Sequence, residues 1–144
     1  MKYFVDSSYI VALIKEDDSL HEKSLEFLNL LDSNDCYINK FIINEVITVI
    51  GNKINLGTAS AAYNLLNSTF NIIDDCSIKD FNYKTMIYYE KFDTKLSFTD
   101  CSIITCMESE NIKNLISFDN EFKKVNFINL INWNIIAQKS KKRV

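Results

Sequence analysis

Residues 96–122, LSFTDCSIITCMESENIKNLISFDNEF, decide how this chain reads. They spell a helix, a turn, a strand and then a carboxylate. Ser97 or Thr99 offers a side-chain oxygen to the free amides of a first helical turn, and Asp100 falls in that turn. Ile103, Ile104 and Met107 follow Asp100 at spacings of three, four and seven, which sets it on the apolar stripe of its own helix. Asn114 to Phe118 is an apolar run of strand length, too short for a helix. Asp119 comes directly after it. Burying a bare carboxylate costs several kcal/mol unless it is paired or bound to a metal. Two acids aimed at one end of a core therefore call for a compensating charge.

Working outward, the same grammar opens the chain. Lys2 to Val5 is a β-rich run that ends at Asp6, and Ser7, Ser8 and Tyr9 lead into a helix through Ile14. A second helix is expected from Leu20 to Leu31, with Leu20, Ser24, Phe27, Leu28 and Leu31 on one face. Cys36 to Asn39 reads as a strand. Phe41 to Ile54 reads as an apolar helix with Ile42, Glu45, Val49 and Asn52 on one stripe, stopped by Asn55 and Gly57. Thr58 to Leu66 is the next helix, and Phe70 to Ile73 a strand closed by Asp74 and Asp75. Ser77 to Phe92 is helical, with Ile78, Phe81, Tyr88 and Phe92 inward. Phe127 to Ile131 is the last strand. From Trp133 the chain becomes a tail that is basic at Lys139, Lys141, Lys142 and Arg143.

Short strands alternating with longer helices predict βαβ units, hence an α/β fold with a central parallel sheet of four to five short strands flanked by helices. The 144 residues fit a single domain, with about 133–144 as its basic tail. In such sheets the functional crevice lies outside the carboxyl ends of the strands. Asp6 and Asp119 fall there, and Asp100 and Glu45 can face the same crevice.

Composition narrows the rest. An apolar content of 47% with 24% charged residues is globular rather than disordered, and a net charge of −3 exerts no global pull on nucleic acid. Cys36, Cys76, Cys101 and Cys106 form no CxxC pair and have no histidine at zinc spacing, so they read as reduced thiols. No apolar run approaches the roughly 18–20 residues that cross a bilayer. The opening MKYFVDSSY has no signal-peptide core. The expectation is a cytoplasmic protein.

Several carboxylates without histidine or thiolate suit a hard cation, Mg²⁺ or Mn²⁺, one ion or two. Such a site fits phosphodiester hydrolysis, which needs an activated water and a stabilised leaving oxygen. Each acid also has a plainer reading. Asp6 could cap the helix after it, Asp100 could be a first-turn acid favoured by the helix dipole, Glu45 could pair with Lys40 or Lys53, and Asp119 could open a turn with Asn120. Asp93, Thr99 and Ser117 could assist the acids or serve as loop and cap residues. A phosphatase-type site built on Asp6 lacks the second Asp two residues on, where Ser8 stands. The Tyr83, Tyr88, Tyr89 and Phe92 group fits core or a dimer surface.

The ordered series FVDSSYIVALI (4–14), DSLHEKSLEFL (18–28), INEVITVI (43–50), LSFTDCSII (96–104) and ISFDNEF (116–122) resembles the PIN-domain ribonucleases, and among them the VapC-type toxins of toxin–antitoxin pairs. The resemblance spans nearly the whole chain. It matches Asp6, Glu45, Asp100 and Asp119 to the family's four acids, with Ser117 and Phe122 in the pattern around the last. It implies a Mg²⁺- or Mn²⁺-dependent endoribonuclease acting on RNA, a homodimer, and a small VapB-like antitoxin whose C-terminal segment fills the groove. In that scheme Asp6 and Asp100 are inner ligands, Glu45 binds a second ion or orients water, and Asp119 completes the shell. His21 matches a structural or interface position. A PIN nuclease of ribosomal RNA maturation and a catalytically silent binding module are the alternatives.

Overall fold

A computed structural model describes residues 1–132; the basic tail read from the sequence lies outside them. Twelve elements alternate as expected: β1 (Lys2–Val5), α1 (Ser7–Ile14), α2 (His21–Leu25), α3 (Leu28–Ser33), β2 (Asp35–Asn39), α4 (Lys40–Lys53), α5 (Leu56–Thr69), β3 (Asn71–Ile73), α6 (Phe81–Lys91), α7 (Phe98–Ser109), β4 (Asn114–Ile116) and β5 (Asn129–Ile131). The five strands form one sheet in the order β3-β2-β1-β4-β5. Every pairing is parallel, so all five carboxyl ends share one edge, with helices flanking the sheet. This is the α/β architecture that the alternation predicts.

The sheet is apolar because its strands lie inside. Phe4, Val5, Ile38, Leu115 and Ile116 are buried, the continuous apolar signature of parallel strands covered on both faces. Helix α7 is buried on all sides from Cys101 to Met107. Asn39, fully buried at the end of β2, ties α7 into place. Its Oδ1 accepts from the Ile42 amide and starts α4, while its Nδ2 donates to Ser102 Oγ at 3.2 Å.

Several local expectations are corrected. The single helix over Leu20–Leu31 is two short ones, because the chain tightens between them. The amides of Glu26 and Phe27 bond back three residues, to Lys23 and Ser24, and Phe27 turns inward. There it packs between Tyr9 and Phe118, with ring centroids 5.8 and 6.0 Å away. Leu28, placed on the inner face by pattern, is exposed. The helix over Ser77–Phe92 is a 3₁₀ turn at Asp75–Ser77 followed by α6, separated by Asp80 in the left-handed region at φ 56°. Gly57 stops nothing. It is the second residue of α5, whose N-cap is Asn55 accepting from Thr58. The buried stripe of α4 is Ile42, Val46 and Ile50, with Glu45 half-buried on its flank and Asn52 exposed.

Candidate functional site

At the carboxyl edge of the sheet, β1 delivers Asp6 and β4 delivers Ser117 and Asp119. Asp6 occupies the N-cap position of α1 yet makes no side-chain cap bond, so the capping reading fails for it. Its carboxylate is only 4% exposed and is gripped from two sides. Ser8 and Ser117 both donate to Oδ2, at 2.8 and 2.7 Å. Each hydroxyl is oriented by an amide that donates to it, Phe118 N–H to Ser8 Oγ and Asp119 N–H to Ser117 Oγ. These bonds span α1 and the loop after β4, and the Tyr9–Phe118 contact at 5.9 Å holds the same two pieces together.

The other three acids stand around this one. Glu45 Oε2 accepts from Ser7 Oγ at 2.7 Å, which fixes α4 against the start of α1. Asp100 forms a capping box with Ser97, each side chain bonding the other's amide at 3.0 Å. Asp119 Oδ1 accepts from the Glu121 amide and starts a 3₁₀ turn. The helix-start and turn readings thus hold for Asp100 and Asp119 alongside their place in the crevice. Glu45 does not pair with Lys40, whose ammonium lies 3.0 Å from Asp75 instead.

Electrostatics joins the group. Burial pushes the Asp6 carboxyl above the usual carboxylate range, against the hydrogen bonds from Ser117 and Ser8, and the charge of Glu45 adds to the rise. Asp100 is likewise raised, first by burial, then by the charges of Asp6 and Asp119. The ion pairs among the described residues are Lys15–Asp17, Lys40–Asp75 and Lys124–Glu121, so none of the four acids has a cationic partner there.

A tighter acidic group lies elsewhere on the same edge. Asp74, Asp75 and Cys76 bring three ligand atoms within 4.8 Å of one another. These groups are already engaged. Asp75 holds Lys40, and Asp74 Oδ1 accepts from the Cys76 amide. No three of Asp6, Glu45, Asp100 and Asp119 reach that closeness.

Beside Ser7 and Glu45 opens a cavity of about 540 Å³, lined by Val11, Leu20 and Val49 with Asp18, Asn44 and Thr48. His21 has its Nδ1 2.8 Å from the Ala12 carbonyl, a contact within the fold. Asp93 is an exposed left-handed loop residue. Thr99 contributes its carbonyl to the Ser102 hydroxyl. The sequence reading missed the grip of Ser8 and the bond from Ser7. Two hydroxyls directly after the acid were the available signal.

The family model of the PIN domain matches residues 3–128. The chain belongs to the PIN-domain family. Among solved structures, this PIN domain is similar to the VapC20 toxin of Mycobacterium tuberculosis. The TM-score is 0.77 at 20% identity, over 91% of this chain and 99% of that one. It is also similar to VapBC2 of Rickettsia felis, with a TM-score of 0.69 at 19% identity over 92% and 99%. For VapBC-1 of nontypeable Haemophilus influenzae the TM-score is 0.66 at 18% identity over 93% and 99%. A comparison with curated proteins finds no match. No helix among the described residues is long and apolar enough to cross a membrane.

Proposed function

We propose that this PIN domain is a metal-dependent endoribonuclease of the cytoplasm, the toxin of a VapBC-type pair. The observation that carries this reading is the buried Asp6 carboxylate, facing Glu45, Asp100 and Asp119 with no cation among the described residues to neutralise them. The donor set fits Mg²⁺ or Mn²⁺: oxygens only, carboxylates with hydroxyls behind them. Spacing looser than 4.8 Å suits Mg²⁺, which retains several waters and reaches some ligands through them. Asp6 and Asp100 would be the direct ligands, with Glu45 and Asp119 reaching the ion or its waters. A bound divalent ion lowers the pKa of an attacking water and stabilises charge on the phosphoryl oxygens.

The protein's own residues position this chemistry. Ser8 and Ser117 hold Asp6 in one rotamer, Ser7 aims Glu45, and the Ser97 capping box fixes Asp100. The buried core beneath them keeps the carboxylates from turning away. No histidine base is needed, because the carboxylates themselves can take the proton of the water they orient.

Two of the similar structures support the partner class. VapC20 is described as a toxin that cleaves the Sarcin-Ricin loop, and VapBC2 as bound to a DNA fragment from its promoter. By analogy the substrate here is RNA. The cavity beside Glu45, apolar with acids at its rim, suits a VapB-like antitoxin segment that carries an apolar side chain and a cation. A homodimer is part of the same proposal, as the family resemblance implies.

The test is cleavage of total RNA by purified protein with Mg²⁺ or Mn²⁺, repeated with chelator and with Asp100→Asn. We expect ion-dependent cleavage that Asp100→Asn abolishes while the fold is kept, and with it growth arrest on expression. An Asp100→Asn protein as active as its parent overturns the assignment.

A further inference from the structure

An RNA chain cut at the acids brings the bases flanking the cut bond to whatever lies beside the crevice. There the cavity of about 540 Å³ opens, with Ser7, Ser8 and Glu45 in its wall. Its volume is in the range that accepts a ligand the size of a nucleoside. Val11 on α1, Leu20 at the start of α2 and Val49 on α4 line it and are only half-buried, so apolar surface stays open next to the acids. The apolar walls and the negative charges of Glu45 and Asp18 both exclude a phosphate from this space. The part of an RNA chain that fits is an unpaired base, which is flat and uncharged and carries its hydrogen-bonding groups on its edge.

The polar groups of the cavity choose among the bases. Asp18, half-buried, is fixed by its own loop. Its Oδ1 accepts from the Leu20 amide at 2.8 Å, its carbonyl accepts from the His21 amide at 3.0 Å, and its amide donates to the Lys15 carbonyl at 2.9 Å. Its carboxylate can only accept. Asn44 and Thr48 reach the cavity from α4, one helical turn apart and exposed, and both can donate. Guanine presents two adjacent donors, N1–H and the N2 amino group, beside the O6 acceptor. Both donors suit the Asp18 carboxylate, and O6 is left for Asn44 or Thr48. Adenine, cytosine and uracil each offer one donor group next to at least one acceptor, which a carboxylate repels.

We infer that this cavity is a guanine subsite for the RNA substrate, and that Asp18 selects the base on one side of the cleaved bond. This inference rests on the nuclease reading. A protein segment seated in the same cavity shuts the base out, so an antitoxin bound there and a substrate base exclude each other.

The test maps the ends that the full chain leaves in total RNA with Mn²⁺. The mapped segment is then made as synthetic RNA with guanosine, inosine or adenosine at the flanking position, inosine lacking only the N2 amino group. The parent should cut beside an unpaired guanosine. Its kcat/KM should fall several-fold with inosine and about 10- to 100-fold with adenosine, the scale of one bidentate pair. Asp18→Asn keeps an acceptor for the Leu20 amide, so the loop stands, but its carboxamide matches one donor and one acceptor, as adenine presents. It should narrow the gap between guanosine and inosine and cut the adenosine substrate faster than the parent does. Asp17→Asn removes the same charge one residue away, at an exposed site paired with Lys15, and should keep the parent's order of bases. Should Asp18→Asn fail to fold, the three substrates decide the matter on the parent alone. Mapped bonds with no guanosine beside them overturn the inference, as does a folded Asp18→Asn protein with the parent's preference. Cleavage blind to the flanking base overturns the subsite and leaves the nuclease reading standing, whereas a parent that cuts no RNA overturns both.

Discussion

Two acidic groups share the carboxyl edge of this sheet, and they differ in what neutralises them. In the turn after β3, Asp75 is paired with Lys40 and Asp74 is tied to the backbone at Cys76. Around Asp6, hydroxyls and amides supply the polar contacts and the other charges nearby are negative. The first group is the more compact, and by ligand-atom distance alone it would be taken for the metal site. The second carries unpaid electrostatic cost. Proximity of carboxylates is common on protein surfaces, whereas buried carboxylates without a partner persist only where something else compensates them.

The largest expected effect separates the two groups directly. Asp6→Asn should lower RNA cleavage by at least about 100-fold, the scale of losing one preorganised electrostatic element. Asp75→Asn should leave cleavage within about twofold and cost on the order of 1 kcal/mol, because Lys40 is exposed enough to be solvated alone. Parallel cleavage assays and thermal melts decide this. Equal losses from both substitutions would erase the distinction.

Next comes the support beneath Asp6. Ser117→Ala removes a donor to Asp6 and leaves the half-buried Asp119 amide without its acceptor. A stability loss of about 1–3 kcal/mol follows from the unsatisfied groups, with cleavage reduced roughly tenfold. Ser117→Thr, which keeps the hydroxyl, should recover most of the activity. Failure of that rescue would show that packing, not the hydroxyl, is what matters there.

A smaller effect is the pH dependence of the metal-free protein. Burial raises the Asp6 and Asp100 carboxyls above 3.8. A group with a raised folded-state pKa holds its proton more tightly folded than unfolded, so stability falls as pH rises from about 4 through the raised values. Melting temperature in chelator should fall as pH rises from about 4 towards neutrality. Asp6→Asn should flatten the drop. Added Mn²⁺ should restore stability at neutral pH, where it binds only the folded state.

How much of this was legible in the sequence follows from the physics of each part. The alternation of strand and helix was readable because buried parallel strands and amphipathic helices leave different periods. Asp6, Asp100 and Asp119 were readable because each interrupts an apolar pattern at an element boundary. Glu45 was readable as an acid inside an apolar helix, although its stripe was assigned wrongly: the tertiary contact with Ser7 sets its direction, and local spacing does not carry that. The break before Phe27 was hidden because an aromatic turning inward to Tyr9 and Phe118 depends on residues far along the chain. The stop assigned to Gly57 failed because Asn55 caps a new helix directly, so the glycine is helical rather than terminal. The pairing of Lys40 with Asp75, the fact that separates the two acidic groups, joins positions 35 residues apart and has no local signature.

The most direct test of the central claim is a calorimetric titration with Mn²⁺ of the parent, of Asp6→Asn with Asp100→Asn, and of Asp74→Asn with Asp75→Asn. The account predicts that binding is lost in the first double variant and unchanged in the second. Binding that survives the loss of Asp6 and Asp100 but disappears with Asp74 and Asp75 would contradict it.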